Sequence, residues 1–324
     1  MIDKQLIVKP VVSEYKQFEA DFERILHSDI PLLQSAIKQV LLSNGKHIRP
    51  LLLLLTAKAC GEPTKVTQEA AVIIETLHTT TLIHDDVVDD TKKRRGVPSL
   101  NAIFDNRIAV LTGDYILSGS IIKAVELGNL IIIKTIARVC RDLSEGELLQ
   151  INNTEKRTID ESEYLRMIRK KTATLISACS EIGAISVNAP SETVDKCRLF
   201  GEYLGYCFQI KDDIFDYDID ANIGKPTGND IREGKITLPL LHALKTAPEK
   251  ELSKYLKIID NHDFNPENIA ALINFAKQYN GIQYAENRLL DFKQKAIEII
   301  NSFPISEARN SLLLLADFLS MRTH

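Results

Sequence analysis

From residue 99 to residue 189 the chain runs 91 positions without a proline, between Pro98 and Pro190. A proline inside a helix removes a backbone hydrogen bond and clashes with the preceding turn. A long proline-free stretch is therefore where long helices can form. Glycine is also scarce, with 14 glycines and 11 prolines in 324 residues. Most of the chain reads as amphipathic helix. A helix opens near Pro50 and ends at Gly61, and Thr67 is the expected N-cap of the long segment TQEAAVIIETLHTTTLIHDDVVDD. Further helices are expected at about 107–127, 129–152, 160–187, 191–218 and 236–247, with others toward the C-terminus. Three polar, basic, glycine-bearing stretches break the pattern and read as loops: SNGKHIRP (43–50), TKKRRGVPS (91–99) and NIGKPTGNDIREGK (222–235). No short repeat or long linker divides the chain. The expectation is one all-α domain over 1–324, a single large helical bundle.

Composition narrows the function classes. Hydrophobic residues are 44% and charged residues 26%, ordinary for a soluble globular protein and unlike a disordered or collagenous one. Acids number 44 against 40 bases, a net charge of −4, so no global basic field points to nucleic acid. The five cysteines (60, 140, 179, 197 and 207) are scattered and lack CxxC spacing. Neither a disulfide framework nor a zinc site is expected, and a reducing cytoplasm fits. The N-terminus MIDKQLIVKP has no long apolar run, so no secretory signal is expected. The run Leu51–Leu55, ended by Lys58, is too short to span a bilayer.

Two aspartate clusters share one form. DDVVD holds Asp85, Asp86 and Asp89, followed by Asp90, and DDIFD holds Asp212, Asp213 and Asp216. Each ends an apolar helical segment. Positions i and i+4 share a helix face, so Asp85 and Asp89 point one way, as do Asp212 and Asp216. Two carboxylates about 6 Å apart repel by roughly 3 kcal/mol at an effective dielectric near 20. Acids at a helix C-terminus also oppose its macrodipole. A cation removes both penalties. Oxygen ligands alone select a hard ion, and so sparse a carboxylate set suits Mg²⁺, which keeps waters and accepts phosphate oxygens. One such cluster is as readily a solvated acidic helix end. Two copies, each after an apolar segment, are much harder to read that way.

The loops supply Lys46, His47 and Arg49, then Lys92, Lys93, Arg94 and Arg95, then Lys225, Arg232 and Lys235. Lys170 and Lys171 form a further pair before Thr172. Lys92, Lys93 and Arg232 read as surface charges. The others stand beside glycines, where backbone can approach a ligand closely. Carboxylates, a hard cation and arginines describe a diphosphate or triphosphate site. Yet the chain has no GxxxxGK loop ending in Ser or Thr and no GxGxxG after a strand. It also lacks Trp, and the helix faces leading to the carboxylates are aliphatic. A greasy diphosphate, such as a prenyl diphosphate, suits these surroundings better than a nucleotide.

In order along the chain, GKHIRP, LIHDDVVDD, RRGVPS, GDY, KTA, FQIKDDIFDY and GKPTGNDIREGKITLPLL resemble the trans-isoprenyl diphosphate synthases, densely over about 40–245 and loosely elsewhere. Within that family the chain is most similar to the long-chain, octaprenyl-type polyprenyl synthases. The resemblance implies an all-α bundle of the isoprenoid synthase type, usually a homodimer, with both aspartate clusters facing a deep central cavity. It implies Mg²⁺ as cofactor, two ions at Asp85 and Asp89 and a third at Asp212, with Asp86, Asp213 and Asp216 as supporting acids. It assigns the allylic diphosphate to Arg94, Lys171 and Lys225, and isopentenyl diphosphate to Lys46, Arg49, His78 and Arg95. Thr172 and Gln209 fall near the developing cation, and Lys235 falls in the family's basic C-terminal loop. His47 departs from the pattern, because long-chain relatives often carry a second basic residue after the lysine. Spacing agrees with two of these assignments: His78 lies two turns before Asp85 on the same face, and Gln209 one turn before Asp212. The implied reaction adds isopentenyl diphosphate in trans to an allylic prenyl diphosphate, by charge stabilisation and positioning without a protein nucleophile. The implied setting is cytoplasmic, with no nucleic acid partner and only peripheral membrane contact for product release.

Counting back four, five and eight residues from Asp85 gives Thr81, Thr80 and Leu77, on the turns below the carboxylates. Short-chain members of the family typically place an aromatic at one of the first two offsets. Both are small here, which implies a product longer than about twenty carbons, with about forty as the central expectation. Ile121, Ile122 and Val125 on the next helix are candidates for the tunnel floor. Four other readings stand beside this one. A farnesyl or geranylgeranyl synthase differs only in product length. A terpene cyclase is disfavoured by DDIFD and GKHIR. An HD-type phosphohydrolase, suggested by the pair His84–Asp85, wants more histidine ligands than a chain with 7 histidines readily offers. A non-catalytic regulatory subunit is disfavoured by two intact clusters.

Overall fold

The computed structural model describes residues 4–43, 45–217 and 227–321. Its helices are α1 (Lys4–Val8), a 3-10 turn (Lys9–Val11), α2 (Val12–Ile25), α3 (Pro31–Leu42), α4 (Ile48–Cys60) and α5 (Lys65–Val88). The strands β1 (Lys93–Arg94) and β2 (Val97–Pro98) follow, then α6 (Leu100–Ile103), α7 (Asn106–Glu126), α8 (Leu130–Lys156) and α9 (Glu161–Ile168). After a π turn (Arg169–Ala173) come α10 (Thr174–Ser186), α11 (Ser191–Phe215), α12 (Asn229–Arg232), α13 (Leu238–Thr246) and α14 (Glu249–Asp260). The chain ends with α15 (Pro266–Gln278), α16 (Gly281–Asn301) and α17 (Glu307–Met321). The architecture is all-α.

The local chemistry explains the boundaries. α4 carries Pro50 in its first turn and stops at Gly61, as expected. α5 begins one turn earlier than expected. Thr64, not Thr67, is the N-cap, and Thr67 sits at N3 of a capping box. The Thr64 N–H donates to Thr67 Oγ1 at 2.9 Å, and Thr67 is fully buried against Ser186 Oγ at 2.8 Å, a place inside a helix rather than at its edge. The stretch 91–99 is more than a loop. Lys93 pairs with Pro98 and Arg94 with Val97 in an antiparallel ladder. Arg95 (φ 51°) and Gly96 (φ 84°) close it with a two-residue turn of left-handed residues.

The expected helix 160–187 is interrupted by the π turn. Neighbouring helices pack closely against it. A Cβ on Gly146 would overlap the Lys171 backbone, and a Cβ on Gly205 would overlap Ala173. Two glycines thus let neighbouring helices approach the widened turn.

Two compact units divide the chain. The first takes Met1–Ala137, Ala178–Arg198 and Phe303–Leu312, and the second takes Arg138–Ser177, Leu199–Ser302 and Leu313–His324. In the first, α7 packs along α5, and the aliphatic run Leu51–Leu55 of α4 is buried with Phe18, Ile37, Ile73 and Ile74. The buried face of α7 carries Ile116, Ser120 and Ala124. Ile121, Ile122 and Val125, the expected floor residues, lie on its other side at 48%, 58% and 61% exposure. The hundred-degree step of a helix places neighbours of a buried residue outward. In the second unit, one core gathers Leu240, Leu272, Ile273 and Phe275, and another gathers Tyr206, Ile210, Leu289 and Phe292.

Candidate active site

In the first unit the C-terminal end of α5 presents the first aspartates. The Asp89 N–H closes the helix on the Asp85 carbonyl at 2.8 Å, and Asp90 turns the chain away at φ 47°. Asp85 is half-buried, Asp86 buried and Asp89 exposed. Asp86 is engaged from two sides. Its Oδ1 accepts from Arg94 Nε at 2.8 Å and Nη2 at 2.6 Å, while its carbonyl accepts from Asn101 Nδ2 at 3.1 Å. Arg94 therefore reaches the cluster by gripping Asp86.

The neighbouring basic residues converge. Arg49 Nη1 donates to His78 Nε2 at 2.9 Å. Burial, followed by the charges of Arg49, Arg95 and Arg94, holds the His78 pKa well below its usual range. The imidazole is neutral, and its Nε2 must be the acceptor because arginine has only donors. Arg95 Nη1 donates to the Ser43 carbonyl at 2.9 Å and lies on Gly45, where a Cβ would overlap the guanidinium. Gly45, His78, Asp86, Arg94 and Arg95 line one pocket, with Leu82, Ile83 and Leu100 on its apolar side. Lys46 stands exposed beside it, its carbonyl accepting from Tyr15 Oη at 3.4 Å.

Below the aspartates, Leu77 and Thr80 are each 2% exposed, and Thr81 is half-buried. The threonine hydroxyls turn back onto their own helix: Thr80 donates to the Thr76 carbonyl at 3.2 Å and Thr81 to that of His78 at 2.8 Å. Methyl groups are left to form the sides. His84, of the HD pair, packs on Gly113 and lies 3.5 Å from Asp114 Oδ1, which gives the GDY segment a packing role.

In the second unit the π turn and α11 build the other cluster. Lys171 Nζ pairs with Glu147 Oε1 at 2.7 Å, and Lys170 pairs with Asp142 at 2.7 Å. Thr172 Oγ1 donates to Gln209 Oε1 at 2.6 Å, and Gln209 Nε2 donates to Asp213 Oδ1 at 2.8 Å. Tyr164 Oη donates to Asp213 Oδ2 at 2.6 Å, so both oxygens of this buried acid are occupied. Asp216 accepts the backbone N–H groups of Asn229 at 2.8 Å and Asp230 at 3.0 Å, holding the start of α12. Asp212 is exposed on the same helix. Lys235 Nζ pairs with Glu233 at 2.5 Å and stands 4.0 Å from Asp230. Lys171, Gln209, Asp213, Asp230 and Lys235 line one pocket with Tyr164. Lys225 lies outside the described residues.

The donor set suits a hard cation. Burial pushes the Asp213 carboxyl up to about 8, helped by the charges of Asp230 and Asp212, and burial with Asp216 beside it pushes Asp230 up to about 6. Burial is the larger cause at both acids, and the neighbouring carboxylates add to it. Among the described residues no three metal-ligating side chains form a ready cage. An ion that keeps waters and takes the rest of its ligands from a substrate's phosphates fits that arrangement.

Sequence reasoning missed several of these groups. Tyr164 and Glu147 are recognisable only through the partners they reach across helices. Asp230 was passed over inside a loop motif. Glu75 left a signal, a single acid in the apolar run AAVIIETL, where an unpaired charge is costly to bury.

A family model described as polyprenyl synthetase matches residues 30–276. The chain is similar to heptaprenyl diphosphate synthase component 2 of Geobacillus stearothermophilus, at 36% identity over 94% of this chain and 95% of that protein. Among solved structures it is similar to a polyprenyl synthase from Caulobacter crescentus complexed with calcium and isoprenyl diphosphate, with a TM-score of 0.93 and 28% identity over 99% of this chain and 98% of that one. It is also similar to a geranylgeranyl pyrophosphate synthase from Bacteroides thetaiotaomicron, with a TM-score of 0.85 and 38% identity over 98% of this chain and 99% of that one.

Proposed function

This chain belongs to the polyprenyl synthetase family and is a prenyltransferase that makes a polyprenyl diphosphate, and we propose that it adds isopentenyl diphosphate units in trans to an allylic prenyl diphosphate with Mg²⁺ as cofactor. The observation that carries this reading is that each aspartate cluster adjoins a pocket lined by both carboxylates and cations. Asp85 and Asp89 would hold two ions and Asp212 a third, and Asp86, Asp213 and Asp216, already engaged by protein donors, would support them. The bound ions would supply charge neutralisation at the leaving diphosphate.

The protein's own groups do the rest. Lys46, Arg49, His78 and Arg95 hold the diphosphate of the isopentenyl substrate. Arg94, Lys171 and Lys225 would serve the allylic diphosphate, and Lys235 shares a pocket with Lys171. The allylic C–O bond breaks and the diphosphate leaves with its electron pair. The isopentenyl double bond attacks the resulting cation, and the departing diphosphate takes the proton that is lost. Thr172 and Gln209 offer oxygen dipoles near the developing positive charge, where no nucleophile is needed. Aliphatic walls exclude water, which would otherwise trap the cation.

The product is proposed to be long, about forty carbons, because Thr80 and Thr81 present only small groups below the aspartates. A geranylgeranyl product is the second reading, favoured by the 38% identity to the Bacteroides protein. Exposed apolar residues along α7, among them Leu111 at 64% and Ile122 at 58%, support a homodimer. A reducing cytoplasm is the proposed setting, as the scattered cysteines without CxxC spacing suggest. Product release by peripheral membrane contact belongs to the same proposal.

The test supplies an allylic diphosphate, labelled isopentenyl diphosphate and Mg²⁺ to the purified protein and measures chain-extended product. Asp85→Ala and Asp212→Ala should each lower turnover by about a thousandfold with the helical circular dichroism unchanged. Near-normal turnover in either variant would remove that residue from the metal site.

A further inference from the structure

His47 is held in an uncommon way. It adopts φ 46°, the left-handed region that non-glycine residues seldom enter. Its ring is buried, edge-on to Phe18 at 5.5 Å and to Phe22 at 5.6 Å between centroids. Its Nδ1 lies 2.9 Å from Oε1 of Glu75, itself only 5% exposed. The other oxygen, Glu75 Oε2, is buried and has no hydrogen-bond partner among the described residues. A carboxylate placed so unfavourably is a residue the fold has a use for.

That use follows from position. Glu75 and His78 are one turn apart on one face of α5. Glu75 grips His47, and His78 grips Arg49. Two residues of one rigid helix thus fasten two residues of the basic segment that opens α4. From the far side Tyr15 donates to the carbonyl of Lys46.

We propose that Glu75 is a positioning residue for the diphosphate of the isopentenyl substrate: through His47 it fixes the left-handed turn that presents Lys46 and Arg49. This rests on the function proposed above. It also gives the departure at His47 a meaning. The side chain is a buried strut rather than one more cation offered to the substrate, and Glu75 is the beam it stands on.

Steady-state kinetics with the two substrates varied separately test this in the full-length enzyme. Glu75→Ala should raise KM for isopentenyl diphosphate about ten- to a hundredfold, with KM for the allylic diphosphate unchanged. Glu75→Gln keeps an acceptor for the His47 N–H and should restore KM to within about threefold of normal. The double variant Glu75→Ala with His47→Ala should be no worse than the worse single variant, since both remove one link. Equal rises in both KM values would overturn the proposal, as would a fall in kcat alone. So would a double variant whose defects multiply, or a Glu75→Gln no better than Glu75→Ala. Failure of the underlying reading looks different: the unaltered enzyme then extends no allylic diphosphate at all.

Discussion

The 2.9 Å bond from Arg49 to His78 fixes the histidine as an acceptor, and its surroundings keep it uncharged. The folded pKa is lowered, so above the ordinary value of about 6.5 the residue adds nothing to the pH dependence of stability. Below that value the unfolded chain takes up a proton that the folded chain refuses. Stability should then fall by up to about 1.4 kcal/mol for each pH unit. Urea unfolding midpoints between about pH 7 and pH 5 measure this. His78→Gln, which keeps an acceptor but cannot titrate, should flatten that acid limb. Tyr164 offers a second test at this scale. Its hydroxyl bonds the buried Asp213 at 2.6 Å. Tyr164→Phe should cost about 1–3 kcal/mol by leaving an acid oxygen without its donor, visible as a lower thermal midpoint.

Helix packing sets the next level. The π turn at Arg169–Ala173 exists where Gly146 and Gly205 leave room on two sides. Gly205→Ala forces backbone apart and should cost about 1–3 kcal/mol. It should also disturb the Thr172–Gln209 bond, so turnover should fall together with the melting temperature. α5 makes the other prediction. Thr80 is 2% exposed and its hydroxyl is tied to its own helix, so its side is shaped by a methyl group. Thr80→Phe should shorten the product by several isoprene units on chromatography. An unchanged chain length would show that the growing tail does not pass this face. The aspartate clusters were legible at this level because an i, i+4 pair needs only helical geometry to share a face. Their supporting groups were not, since Tyr164 is 49 residues from Asp213 and His47 is 28 from Glu75.

At the scale of the molecule, α7 buries Ile116 and Ala124 but leaves Leu111, Ile122 and Val125 open. In the proposed homodimer a second copy of the chain would cover them. Sedimentation should give twice the chain mass, and Leu111→Lys with Ile122→Lys should shift it toward the monomer. Much of this protein is written locally. The proline gap and the apolar spacing determined an all-helical chain, because helix formation depends on neighbours a few residues apart. The repeated acids and the glycine-flanked bases pointed to phosphate and a hard cation, because those residue types have few other uses together. What only the tertiary structure decided is how each group is spent. Asp86 is held by Arg94, His47 is buried against Glu75, and Thr67 moves from the cap of α5 into its first turn. Such outcomes turn on which distant side chain arrives within about 3 Å, and sequence spacing carries no distance between helices.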